Sequence, residues 1–264
     1  MPFPETKRVI YKKNPLDQVI CQLRFPPVLK IDAEIPADFQ DRIREDFPNF
    51  KETSTWKVEG PQGEKGLIPL DLLKQAIQSS GNKNYEFSSE DDQWKVNLTR
   101  TFMALTANEY ERWEKYKEKL DVPLKALIDI YSPAHFSRIG LRYIDVIRRS
   151  ALKLDDSNWS DLIQSYILGI LSSPEVEKHI QNYQSQYEIR LSDKESIVRI
   201  ITKFVETADG GEVCYRIDSD FLKTGKTNIS DAMDKLNYFN VRASRLIQWC
   251  ITEKLHKALE PQTL

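Results

Sequence analysis

Glycine, cysteine and histidine are scarce in this 264-residue sequence, which has 9, 3 and 3 of them respectively. So few glycines leave little material for glycine-rich phosphate loops, and no G-x-x-x-x-G-K-[ST], G-x-S-x-G or H-E-x-x-H motif occurs. None of the three histidines has a cysteine or another histidine at metal-ligand spacing. The sequence therefore predicts no catalytic residues, no metal and no cofactor, and it favours a protein without enzymatic activity.

Long apolar runs are also missing, since no stretch approaches the roughly 20 residues needed to cross a bilayer. The first seven residues lack the apolar core of a secretory signal. Cys21, Cys214 and Cys250 are far apart, odd in number and set in apolar stretches, which predicts buried free thiols. We therefore expect a cytoplasmic protein with no membrane contact.

Charge of either sign is abundant but balanced, with 38 basic and 40 acidic residues and a net charge of −2. This balance argues against a polybasic nucleic-acid binder, although a local basic patch remains compatible with it. Hydrophobic residues make up 40% of the chain, which is enough to build a core and argues against disorder.

The first half alternates strand and helix patterns. Strands are predicted over 16–25, 85–87, 94–105 and 136–147, from apolar residues at every second position. A short helix is predicted from Pro36, and a loop over 49–66; residues 67–80 fit a helix or irregular structure. Thr106 to Glu109 matches a capping box, predicting a helix to Tyr131 that Pro123 kinks or splits.

The second half follows a similar order. A helix is predicted over 159–171, then strands near 183–191, 196–206 and 212–221. The last two strands are joined by Ala208-Asp209-Gly210-Gly211, a strong hairpin signal. A helix over about 230–259 has apolar residues at steps of four and three, nearly a heptad seam.

These patterns predict an α+β fold in which mainly antiparallel sheet packs against long amphipathic helices. Two modules are predicted, 1–150 and 151–264, the second ending in the long helix; one continuous domain is the alternative. Each half has strands followed by a long helix, so a tandem duplication is one hypothesis. The same order without shared ancestry is the other.

Several segments together resemble a sporadically distributed family of uncharacterised bacterial proteins of about this length. They include Val19-Ile20-Cys21-Gln22-Leu23-Arg24-Phe25-Pro26, Trp94 to Thr99 and, most characteristically, Arg138-Ile139-Gly140-Leu141-Arg142-Tyr143-Ile144. The resemblance covers essentially the whole chain and is clearest over 14–147. It implies a setting on mobile or defence-related islands, and it assigns no functional residues.

Four arginines on predicted strands are the candidate binding residues. They are Arg24, Arg100, Arg138 and Arg142. If their strands are neighbours, some of the guanidinium groups are expected to converge on one sheet face, where they fit carboxylates, phosphates or a nucleic-acid backbone. The alternative is that they pair with acidic side chains or face solvent. Arg100 interrupts an apolar face and requires a partner if that face is buried.

Three functions are compatible with the sequence. The favoured one is a non-enzymatic interaction or sensing protein of a bacterial cytoplasm, a subunit of a defence or toxin-control system that binds a protein partner or a second copy of itself. Nucleic-acid or nucleotide binding through the arginine-bearing face is the alternative. A weaker alternative is a metal-dependent hydrolase that uses Asp218 and Asp220, which share a strand face.

Overall fold

A computed structural model describes residues 2–53, 83–207 and 210–263. The undecided segment 67–80 and part of the predicted hairpin turn, residues 208–209, lie outside the described residues. So does the predicted loop over 49–66 from residue 54 onward. Its beginning, Asn49–Thr53, forms a strand instead, because it pairs with the strand Asn84–Ser88 over its full length.

Eleven strands are described: β1 Val9–Tyr11, β2 Leu16–Arg24, β3 Asn49–Thr53, β4 Asn84–Ser88, β5 Trp94–Thr99, β6 Phe102–Ala107, β7 Phe136–Ile147, β8 Gln184–Arg190, β9 Ser196–Glu206, β10 Val213–Thr227 and β11 Pro261–Thr263. The α-helices are α1 Lys30–Ala33, α2 Ala37–Ile43, α3 Trp113–Tyr131, α4 Arg149–Leu152, α5 Trp159–Leu162, α6 Ser165–Leu168, α7 Pro174–Glu177, α8 Ala232–Cys250 and α9 Glu253–Ala258. Short 3₁₀ turns cover Gly169–Ser172 and Ile229–Asp231.

The fold is α+β, with helices and an antiparallel nine-stranded sheet of order β3-β4-β5-β6-β2-β7-β10-β9-β8. A separate two-stranded ribbon pairs β1 with β11. β2 and β7 run in opposite directions, since the Val146 amide donates to the Pro15 carbonyl (2.8 Å) while Arg138 contacts Gln22. The predicted fold class is thus confirmed at this level. The modules 1–150 and 151–264 stay a prediction.

By its contacts the chain divides into two compact units. One comprises 1–17, 142–221 and 237–264, and the other 18–141 and 222–236. In the second unit, α3 places Tyr116 against the sheet, where its hydroxyl donates to the Leu105 carbonyl (2.7 Å) and accepts from the Cys21 amide (2.8 Å). Trp113 stacks on Tyr116, and both residues belong to the core.

In the first unit, α8 packs on the sheet through its apolar residues. Phe239 lies against Phe221 with ring centroids 6.2 Å apart, and Tyr143 donates a hydrogen bond to the Asn240 side chain (3.0 Å). Both sheet residues have odd numbers on their strands. Because strand side chains alternate between faces, α8 covers the odd-numbered face of β7 and β10, and the even-numbered residues lie on the other face.

The single strand predicted over 94–105 is wrong, because the chain turns at Arg100 and Thr101 to form the hairpin β5–β6. Thr99 makes this turn possible without glycine or proline: its hydroxyl oxygen accepts from the amides of Thr101 (3.2 Å) and Phe102 (3.1 Å). A hydroxyl can satisfy turn amides in this way. Arg100 therefore lies in a turn and does not interrupt a sheet face.

The predicted capping box at Thr106 is also wrong. Thr106 lies in β6 and is paired on both sides, with Ile20 of β2 and Lys95 of β5. Its backbone bonds are thus used by the sheet, which overrides the local helix signal, and α3 begins only at Trp113. The helix then continues through Pro123 without being split.

One long-range bridge interrupts two predicted helices. Ile163 pairs with Ile251, and the Gln164 amide donates to the Cys250 carbonyl (2.9 Å). The helix expected over 159–171 therefore breaks after α5, and the one expected over 230–259 ends at Cys250. It resumes as α9, where the Thr252 hydroxyl accepts from the Leu255 amide as an N-cap (3.4 Å).

Candidate functional site

Arg142 of β7 and Arg216 of β10 share one buried carboxylate, that of Asp218. Arg142 donates through Nε to Oδ1 (2.6 Å) and through Nη2 to Oδ2 (2.5 Å). Arg216 Nη2 donates to the same Oδ2 (2.8 Å). The side chains of Arg142 and Asp218 are only 8% and 6% exposed, so this pair is shielded from solvent, while Arg216, at 17%, is slightly more open.

The strand geometry explains how the charge cluster forms. Arg216 and Asp218 are two residues apart on β10 and so point to the same face, and β7 is the neighbouring strand. The Arg142–Asp218 pair is bidentate, the strongest form of an arginine–carboxylate contact. Arg216 was missed by the sequence reasoning, although its spacing from Asp218 is a signal that could have identified it.

Arg138 lies on the same strand as Arg142, and in the described part of the chain it contacts Gln22 and Gly140. Its Nη1 donates to the Gln22 side-chain oxygen (2.9 Å), and its guanidinium lies over Gly140. A Cβ atom at position 140 would come within 2.9 Å of the Arg138 Cζ and closer still to Nη1. The Arg138 guanidinium therefore occupies space that is available only because Gly140 has no side chain.

Replacement of Gly140 with alanine should force the Arg138 side chain away from Gln22. We expect the free energy of unfolding to fall by about 1–3 kcal/mol, because the hydrogen bond that the buried, charged Arg138 donates to Gln22 would be lost. Chemical denaturation measures this loss. In an Arg138→Met background, where the guanidinium is gone, the same Gly140→Ala change should cost much less. Equal costs in both backgrounds would show that Arg138 is not what Gly140 accommodates.

The remaining two predicted arginines lie elsewhere. Arg24 is half-buried at the end of β2. Arg100 forms an ion pair with Asp32 (3.5 Å), whose pKa is raised, mainly by burial and against the attraction of Arg100. Arg138 and Arg142 are each less than a tenth exposed. Binding of a nucleic acid to these two would require them to be uncovered first.

Asp145 of β7 is a buried carboxyl that the sequence reasoning did not single out. Burial, and secondly repulsion from Asp218, raise its pKa to about 7. The Asp145 charge in turn contributes to the raised pKa values of Tyr11 and Cys250. No side chain in the described part of the chain forms a hydrogen bond with the Asp145 carboxyl.

The free cysteines are buried, as predicted, and burial raises the pKa of each thiol. They are thus held in the protonated, unreactive form. His256 contacts the Tyr11 hydroxyl through Nδ1 (2.9 Å). Within residues 2–53, 83–207 and 210–263, no group of three or more His, Cys, Asp or Glu side chains is arranged to hold a metal ion.

β8 forms an open edge of the nine-stranded sheet, paired with β9 and with no other strand of the described ranges. At its ends the Tyr183 carbonyl accepts from the Phe204 amide (3.2 Å), and the Leu191 amide donates to the Ser196 carbonyl (2.8 Å). Backbone groups of an antiparallel strand point alternately to one neighbour and the other. The odd-numbered residues therefore bond β9, and the even-numbered ones face outward.

Four consecutive outward-facing positions result, and all four residues are exposed. They are Gln184, Gln186, Glu188 and Arg190. β8 contains no proline, and the Glu188 carboxylate is paired within the sheet by Arg199 (2.8 and 2.6 Å). Proline and unpaired charge are common means of blocking strand addition, and this edge has neither at its centre. Tyr187, between the outward-facing residues, is 38% exposed.

Comparisons with protein-family models and with curated protein sequences give no match to this chain. None of the described helices is long and apolar enough to cross a membrane. The geometry therefore defines two features: a buried charge cluster on the sheet, and an exposed strand edge formed by β8.

Proposed function

We propose that this chain is a non-enzymatic interaction protein that binds an extended segment of a protein partner as an added strand along β8. The observation that carries the proposal is the row of four residues whose backbone N–H and C=O groups face outward on an exposed edge. Such groups supply affinity when a strand is added, and the side chains beside them supply specificity.

The first half of the sheet supports the proposal of strand addition at β8. Read outward from β2, its order is β2-β6-β5-β4, and read outward from β7 the second half is β7-β10-β9-β8. β4 and β8 thus hold matching places. The outer edge of β4 is covered by β3, which pairs with it antiparallel and packs Phe50 on Phe87 with centroids 5.3 Å apart. A partner strand on β8 would take the corresponding place.

The same strand order supports a further proposal, that the two halves descend from a duplicated β–α–β–β–β–α unit. In each half the first strand is central, the last strand lies beside it, and a 19-residue helix, α3 or α8, follows. Under this proposal both halves share one architecture of sheet covered by a long helix, and they differ in what occupies the outer edge.

The biological setting is also part of the proposal. The buried free thiols fit a reducing bacterial cytoplasm. The resemblance of segments such as Arg138 to Ile144 to a family of bacterial proteins fits a subunit of a defence or toxin-control system. The burial of Arg138 and Arg142 makes a protein partner a better candidate than nucleic acid.

Substitution of Gln186 with proline tests strand addition directly. Proline removes one outward-facing N–H but leaves the β8–β9 bonds, which use odd-numbered residues, and proline is tolerated on the open side of edge strands. We expect a partner captured from the native host by the tagged wild-type chain to be reduced at least about tenfold with Gln186→Pro, through lost hydrogen bonds and a steric block.

Gln186→Ala is the matched control, because it removes the side chain and keeps the N–H; it should capture the partner as the wild type does. Quantitative mass spectrometry of the captured proteins, including untagged copies of this chain, compares the three. If the wild type, Gln186→Pro and Gln186→Ala capture the same proteins in equal amounts, strand addition at β8 is refuted.

A further inference from the structure

We propose that the strand added to β8 is the β8 strand of a second copy of this chain, paired antiparallel across a two-fold axis at Tyr187. This choice of partner rests on the strand addition proposed above. A closed dimer with identical contacts on both copies is the commonest form of self-association.

The register follows from which backbone groups face outward. The outward-facing backbone groups of one copy can form hydrogen bonds only with the outward-facing groups of the other. The even-numbered residues of one copy must therefore lie opposite even-numbered residues of the other. Only one symmetric register matches all seven residues of β8 with all seven of its copy. In it Gln184 lies opposite Arg190 and Gln186 opposite Glu188. Each of these pairs occurs twice, and each exchanges two backbone hydrogen bonds.

Side-chain chemistry is compatible with this register and disfavours the one centred on Glu188. A shift that centres Glu188 on the axis would place two glutamates directly opposite, which is destabilising. The register centred on Tyr187 places no like charges opposite each other. It also brings together the two Tyr187 rings, which are 38% exposed in the single chain. Tyr187 then occupies a non-hydrogen-bonded pair, where opposing Cα atoms are about 4.5 Å apart and side chains are closest.

Tyr187→Cys therefore tests the pairing and its register together. A spacing of about 4.5 Å lies within the range that a disulfide spans, so the variant should form a covalently linked dimer under mild oxidation. Ile189→Cys is the matched control, since residue 189 lies opposite Ser185 of the copy and far from its own equivalent. Because the three native thiols are buried, they should not contribute to cross-linking.

Sedimentation equilibrium of the purified chain supplies the second readout. We expect a dimer for the wild type and Gln186→Ala, and a dissociation constant at least about tenfold higher for Gln186→Pro. A strictly monomeric wild type, or equal cross-linking by Tyr187→Cys and Ile189→Cys, overturns the second copy as occupant. If the host-capture difference between Gln186→Pro and Gln186→Ala then persists, strand addition stands with another protein; if it too is missing, both proposals fail.

Discussion

Asp218→Ala is expected to lower the free energy of unfolding by about 3–5 kcal/mol, the cost of breaking a buried ion pair by removing one partner. The Asp218 carboxylate accepts from both Arg142 and Arg216. Without it, the 8%-exposed Arg142 guanidinium would keep its charge in a site shielded from water and lose both bonds of its bidentate pair. Urea denaturation at neutral pH measures the loss.

Two control variants separate uncompensated charge from the loss of side-chain volume. Asp17→Ala removes a carboxylate from an exposed pair with Arg148, away from β8, and should cost no more than about 1 kcal/mol. Adding Arg142→Met to Asp218→Ala removes the charge that has lost its partner, so the double variant should be more stable than Asp218→Ala alone. A double variant less stable than the single one would mean that packing, and not charge, determines the effect.

The sheet was largely predictable from the sequence because alternation along a strand reports burial directly. β2, β7 and β9 were all located from this pattern, within a residue or two of their bounds. The hairpin turn at Arg100 was not predictable, because the Thr99 hydroxyl stabilises it in place of the glycine or proline that usually marks a turn. The breaks in the two predicted helices were also hidden, because the Ile163–Ile251 bridge joins segments that are distant in sequence.

The candidate sites show a similar division. The sequence indicated Arg142 as a candidate binding residue. It did not indicate that Arg142 pairs with Asp218, which lies 76 positions away and becomes a neighbour only through the strand order. The exposure of β8 has the same origin. β8 contains no proline that would mark it as an edge strand, and only its place at the end of the sheet leaves Gln186 and the other outward-facing residues open.

Asp145 is expected to make the stability depend on pH: its contribution to the free energy of unfolding should fall as the pH rises from about 4 to about 7. Its pKa is raised from 3.8 to about 7 in the folded protein. Below pH 4 the carboxyl is protonated in both states. Between these values the folded protein holds a proton that the unfolded chain releases, so the free energy of unfolding decreases as the pH rises. Above pH 7 the loss is complete.

Asp145→Asn should abolish this contribution, because the amide has the shape of the protonated acid and cannot ionise. At about 1.4 kcal/mol per pKa unit, the variant should gain on the wild type by an amount of the order of 4 kcal/mol between pH 4 and pH 8. Denaturant titrations across this range measure the difference. Asp17→Asn, which alters an exposed carboxylate paired with Arg148, should show a difference within about 1 kcal/mol throughout. A flat difference for Asp145→Asn would mean that the carboxylate is already ionised in the fold. In that case water or a cation must reach the Asp145 carboxylate and offset both its burial and its repulsion from Asp218.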